Sequence, residues 1–214
     1  PAHAPEFSRV FAARTCMMAG VGLTGVFLWY LVRFWVYGKA VVLTSAPLTI
    51  PAGFLIAGMA VATLIGAALA SWAAGPISES IEEKNIPVAR AVAGACLLYA
   101  AGLALAWGLG VWSAGTAREN GMLLFALISG FAFGIYDSLG LELVMDSLPD
   151  PRRAGHDLGI YALANSAGLA LAAIIGALLV NAFEHSFGYY LLFPSAIVMV
   201  LLAGIITLTT KSAE

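Results

Sequence analysis

Six long apolar stretches follow one another along the chain, at 15–32, 51–74, 91–117, 121–148, 158–183 and 186–210. Five of them hold no Asp, Glu, Lys or Arg, and the stretch at 121–148 is apolar as far as Tyr136 before it takes on acids. Crossing about 30 Å of hydrocarbon takes about 20 residues of helix, whereas a barrel strand needs about 10 and alternates in polarity. These runs are too long for barrel strands and do not alternate. They predict an all-α membrane protein, a bundle of six transmembrane helices at 10–37, 51–74, 89–112, 121–148, 158–183 and 186–210, in a single domain over 1–214. Pro47, Pro51, Pro76, Pro87, Pro149 and Pro151 fall at the ends of runs, where a missing N–H costs least, and bound the spans independently.

Composition agrees with the pattern. The chain is 61% hydrophobic and 10% charged, with a mean hydropathy of +0.94, where an ordinary soluble domain is about one quarter charged. So little polar surface cannot cover a fold of this size in water, and a lipid bilayer is the expected surrounding. Ten Lys and Arg and a net charge of -2 exclude the basic field that a nucleic-acid partner requires. Cys16 and Cys96 lie inside apolar runs and read as small hydrophobes. The opening residues PAHAPEFS lack the basic start and cleavage site of a signal peptide. The chain reads either as a natural half-length protein or as a piece of something longer, whose missing part would then lie upstream.

Basic residues set the orientation, because Lys and Arg collect on the cytoplasmic side. With six spans, one side holds Arg9, Arg14, Lys84, Arg90, Arg152, Arg153 and Lys211, and the other holds Arg33, Lys39 and Arg118. A multi-pass protein of the cell membrane with both termini cytoplasmic is the expectation.

A carboxylate at mid-bilayer costs a few kcal/mol even on lenient scales, so it usually faces the bundle or a water-filled path. Asp137 lies 11 residues before Leu148, about 16 Å along the helix and near the midplane. It shares a stripe with Gly130, Phe133 and Gly134 and should point inward, as a proton or cation site or as a structural acid. Ser138, Glu142 and Asp146 form a second stripe. Glu142 is a candidate for an inner vestibule, and Asp146 for a loop anchor facing Arg152 or Arg153. Tyr161, Asn165, Gly168, Ala172 and Gly176 form a small-residue stripe in which Asn165 either bonds a solute or bridges helices. Trp29, Tyr30, Arg33, Trp35 and Tyr37 read as an interfacial aromatic belt, with Tyr30 alone deep enough to wall a cavity. Asp157 suits the N-cap of the fifth span.

Enzyme chemistry finds no footing. His3, His156 and His185 all sit in tails or loops, and there is no His-Glu-x-x-His, Cys-x-x-Cys or phosphate-cradling loop. No catalytic residue, no metal and no cofactor is expected.

Two inter-span segments carry a resemblance to a family. Gly75-Pro-Ile-Ser-Glu79-Ser-Ile-Glu-Glu-Lys84 is similar to the Gly-x-x-Ser-Asp-Arg-x-Gly-Arg-Lys loop of the major facilitator superfamily. Gly75, Ser78 and Lys84 match, Glu79 stands in for the acid, and Ser80, Glu82 and Glu83 depart. Leu148-Pro-Asp-Pro-Arg152-Arg-Ala-Gly155-His-Asp157-Leu-Gly159 resembles the segment between the tenth and eleventh helices of bacterial members, sugar-porter-like ones included. The resemblance covers essentially the whole chain and implies the carboxyl-terminal six-helix half of a secondary transporter, built as three plus three helices in inverted relation. It implies alternating access for a small polar, sugar-like solute, by proton- or cation-coupled symport, with Gly75, Glu79, Lys84, Arg152 and Asp157 in cytoplasmic gating loops. It also implies a partner: an amino-terminal half on the same or a separate chain, or a second copy in a homodimer. The competing expectation is a six-helix scaffold or assembly subunit that transports nothing, to which the altered Glu79 loop belongs equally well.

Overall fold

A backbone surrounded by apolar side chains satisfies its own N–H and C=O groups most completely as helix, and helix is what these runs form. The computed structural model describes residues 4–37, 49–112, 115–147, 154–183 and 185–210. Helix α1 is Ala4–Gly25, and after a turn the short α2, Leu28–Tyr30, runs into a π-helical turn, Leu31–Val36. Then come α3 (Thr49–Glu83), α4 (Val88–Trp112), α5 (Thr116–Asp146), α6 (Ala154–Ala182) and α7 (His185–Leu208). No strand occurs among the described residues.

Among the described residues five helices, α3 to α7, are long and apolar enough to cross a membrane. On their outer faces Phe54, Leu64, Trp72, Leu163 and Leu178 are each more than 60% exposed, which suggests lipid and not water as the surrounding medium. The expected first span, 10–37, is not one regular helix. Arg9 and Arg14 dilute α1, and the break after Gly25 stops it before an apolar window of spanning length is complete.

The 51–74 prediction ends too early. Helix α3 continues to Glu83, because the segment after Pro76 is amphipathic: Ile77 is half-buried and Ile81 buried, while Glu79, Ser80, Glu82 and Glu83 stay in the open. The Gly75–Lys84 segment, expected as a loop, is therefore mostly helix, with Gly75 and Glu79 exposed on it and Lys84 in the turn that follows. Asp157 is not an N-cap, since α6 is already helical from Ala154. It sits in the first turn, where a negative charge still suits the helix dipole, and its Oδ1 lies 3.3 Å from His156 Nδ1. Asp146's side chain, Arg152 and Arg153 fall outside the described residues.

The helices pack as pairs: α5 lies on α3 and α4, α1 lies on α6 and α7, and α4 meets α7. Glycines set the closest crossings. A methyl group at Gly130 would land on the Thr63 backbone of α3, and one at Gly168 would lie 2.6 Å from the Thr15 carbonyl of α1, so only glycine lets these backbones approach. The core between the pairs is filled by Met17, Leu23, Leu103, Met122 and Phe193, all fully buried.

Trp35 departs from the expected aromatic belt. It is 2% exposed, edge-on to Tyr190 with centroids 4.1 Å apart, and packed where a methyl at Gly110 would stand. Arg33 does lie over the Trp29 ring, at 5.7 Å. Arg9 Nη1 donates to the Thr209 carbonyl (2.9 Å) and Arg118 Nη1 to the Trp35 carbonyl (3.0 Å). These bonds hold the start of α1 to the end of α7, and the start of α5 to the π-helical turn.

Candidate functional site: a charged pair beside an interior groove

Gly130 and Gly134 turn one stripe of α5 onto α3, and Asp137, one turn further, comes out beside the seam. Opposite it stands Arg14 of α1. Its Nη1 lies 2.7 Å from Asp137 Oδ1, and its Nε donates to Asn165 Oδ1 of α6 at 2.8 Å. The Nη1 contact is an ion pair without well-aligned hydrogen-bond geometry. Three helices thus meet through one guanidinium.

Aromatic rings complete its surroundings. Phe133, Tyr136 and Tyr161 each place a ring centroid 5.5 to 5.7 Å from Arg14 Cζ, within cation–π range. The two charges differ in access: the Arg14 side chain is 8% exposed and that of Asp137 57%. A buried guanidinium without an anion would carry a large desolvation cost, and the pair offsets it.

Asp137 opens onto a cavity of about 400 Å³ between α1, α3, α4 and α5, whose wall includes Thr63, Ser71, Ser129 and Ser138. A second cavity of about 260 Å³ shares Val21, Thr63, Tyr99 and Ser129 with the first. Together they form one groove. Its far part is apolar, lined by Leu28, Ile56, Met59 and Phe125.

Of the residues singled out from sequence, Asp137 is on the groove wall and Asn165 is behind it, held by Arg14. Glu142 is exposed further along α5 and is on the wall of neither cavity. Tyr30 is 49% exposed and stacks on Tyr189, centroids 6.2 Å apart, away from the pair. Gly75, Glu79 and Lys84 lie toward or beyond the end of α3, and Arg152 is outside the described residues.

Arg14 is what the sequence reading missed, by counting it among the loop charges. The available signal was its flank: four uncharged residues, Val10 to Ala13, separate it from Arg9. Removing it leaves the basic asymmetry in the same direction. Among the described residues no group of three or more His, Cys, Asp or Glu could hold a metal ion. Comparison with protein-family models, with curated proteins and with solved structures gives no match, so the functional reading rests on this geometry.

Proposed function

We propose that this chain forms one six-span half, resembling the major facilitator superfamily, of a secondary transporter that moves a small polar solute by alternating access. In this reading the composite segment from α1 to Val36 is the first of six spans, and the protein sits in the cell membrane with both termini inside. The observation that carries it is the Arg14–Asp137 pair beside a groove in the bundle. Intramembrane charges are costly and mark solute or ion paths more often than scaffolding.

The packing scheme supports a three-plus-three construction. Exchanging the first three spans with the last three turns the α1–α6 contact into α5–α3 and α1–α7 into α5–α4, and carries α4–α7 onto itself. Glycine crossings correspond too: Gly168 of α6 on Thr15 of α1 answers Gly66 of α3 on Leu127 of α5, and Gly22 of α1 on Ala172 of α6 answers Gly130 of α5 on Thr63 of α3. The smaller α6–α7 contact has no counterpart of similar extent. Alternating access in such folds is largely one unit rocking against another, so the proposal includes a partner half or a second copy.

Gradient-driven uptake into proteoliposomes is the test. The wild-type assembly should accumulate its solute under an imposed proton gradient, and Asp137→Asn should abolish accumulation while the protein still assembles. Assembly with no transport by wild type would favour the scaffold reading, to which the altered Glu79 segment points.

A further inference from the structure

The groove offers hydrogen-bond acceptors and almost no donors. A serine or threonine hydroxyl has one proton to give, and on this wall each is already given to the residue's own helix. Thr63 donates to the Met59 carbonyl (2.9 Å), Ser71 to Ala67 (3.0 Å), Ser129 to Ala126 (3.0 Å) and Ser138 to Gly134 (2.9 Å). Thr24, in the adjoining part, donates to the Val21 carbonyl (3.1 Å). Helical amides are used internally. What faces the groove is a row of lone pairs, ended by the half-exposed Asp137 carboxylate.

The nearby cation does not reverse this. Arg14 is enclosed by Asn165, Asp137 and three rings and is on the wall of neither cavity. Among the described wall residues an anionic solute would meet mainly acceptor oxygens, an arrangement that repels it. A protonated amine brings up to three donors and a charge. It would meet the outer lone pairs of Asp137, the Ser71 and Ser138 oxygens, and the side chains of Phe133 and Tyr99. Beyond Tyr99 the groove turns apolar, along Ile56, Met59 and Phe125.

We infer that the groove takes an amphipathic organic cation, its ammonium head at Asp137 and its apolar body along the wall between Tyr99 and Phe125. This rests on the transporter reading for its biological sense and narrows "small polar solute" to one chemical class.

Titration calorimetry on the full chain in detergent, against empty micelles, tests it with three probes of one body and different heads: 3-phenylpropylamine, 3-phenylpropanol and 3-phenylpropionate. The amine should bind saturably, about tenfold or more tighter than the alcohol, with no binding of the carboxylate. Ser71→Ala and Ser138→Ala remove acceptors without touching the ion pair. Each should weaken the amine about threefold with the thermal midpoint unchanged, and Asp137→Asn should weaken it more than tenfold. Equal affinity for amine and alcohol, preference for the carboxylate, or an amine affinity indifferent to all three substitutions overturns the inference. Uptake separates the two claims. Amine binding without gradient-driven entry into vesicles overturns transport and leaves the site, whereas driven entry of the alcohol or carboxylate in place of the amine overturns the site and leaves transport.

Discussion

Arg14 and Asp137 form a pair whose members depend on each other unequally. The guanidinium is almost sealed off, while the carboxylate is half in the open, so loss of the anion strands a charge that water cannot reach. Asp137→Asn should lower stability by about 1–3 kcal/mol, below the range for fully buried pairs because of the carboxylate's exposure. Arg14→Gln removes the charge and its ring contacts together. If the two groups interact as the geometry shows, the double variant Arg14→Gln/Asp137→Asn loses less than the sum of the single losses, by about 1 kcal/mol or more. Thermal unfolding of the four proteins in one detergent reads that difference, and strict additivity would contradict it. Asp137 stood out in the sequence because it is the first of three acids that follow the apolar stretch 121–136. Arg14 did not, because an arginine near the start of a run is ordinarily a flank, and only the fold shows that Asn165 and Asp137 converge on it.

Among the elements, the clearest dependence on sequence lies where α3 and α5 cross. Gly130 meets the Thr63 backbone there, and Gly66 meets Leu127 and Phe131. Gly130→Val should separate the helices and destabilise the bundle by about 1–3 kcal/mol. Gly94→Ala in α4, where an added methyl meets nothing within 4 Å, should leave the unfolding midpoint unchanged or raised. Equal effects would show that the crossing is not where the glycines matter. Helices α4 and α7 could be read from sequence nearly to the residue, because proline or charge flanks their apolar runs. The end of α3 could not, since Ile77 and Ile81 continue the buried side after the polar residues begin. The division of residues 4–36 into α1, α2 and a π-turn left no mark in the hydrophobic pattern, which stays apolar through Val32.

At the scale of the molecule, transport through this bundle requires that the groove beside Asp137 hold water or solute while the outer faces of α3 and α6 meet lipid. The apolar runs implied the second condition directly. The first depends on which faces of α1, α3, α4 and α5 the fold leaves apart, and on hydroxyls whose protons the backbone has taken, neither of which a linear pattern encodes. Single cysteines in a background with Cys16 and Cys96 replaced by alanine, labelled in membranes, put both conditions to one measurement. Ser138→Cys on the groove wall should react with a small, charged, membrane-impermeant thiol reagent, and Leu64→Cys on the outer face of α3 should react only with a lipophilic one. A position 138 that ignores the charged reagent from both sides of the membrane and takes only the lipophilic one would contradict the groove, and the transport reading built on it.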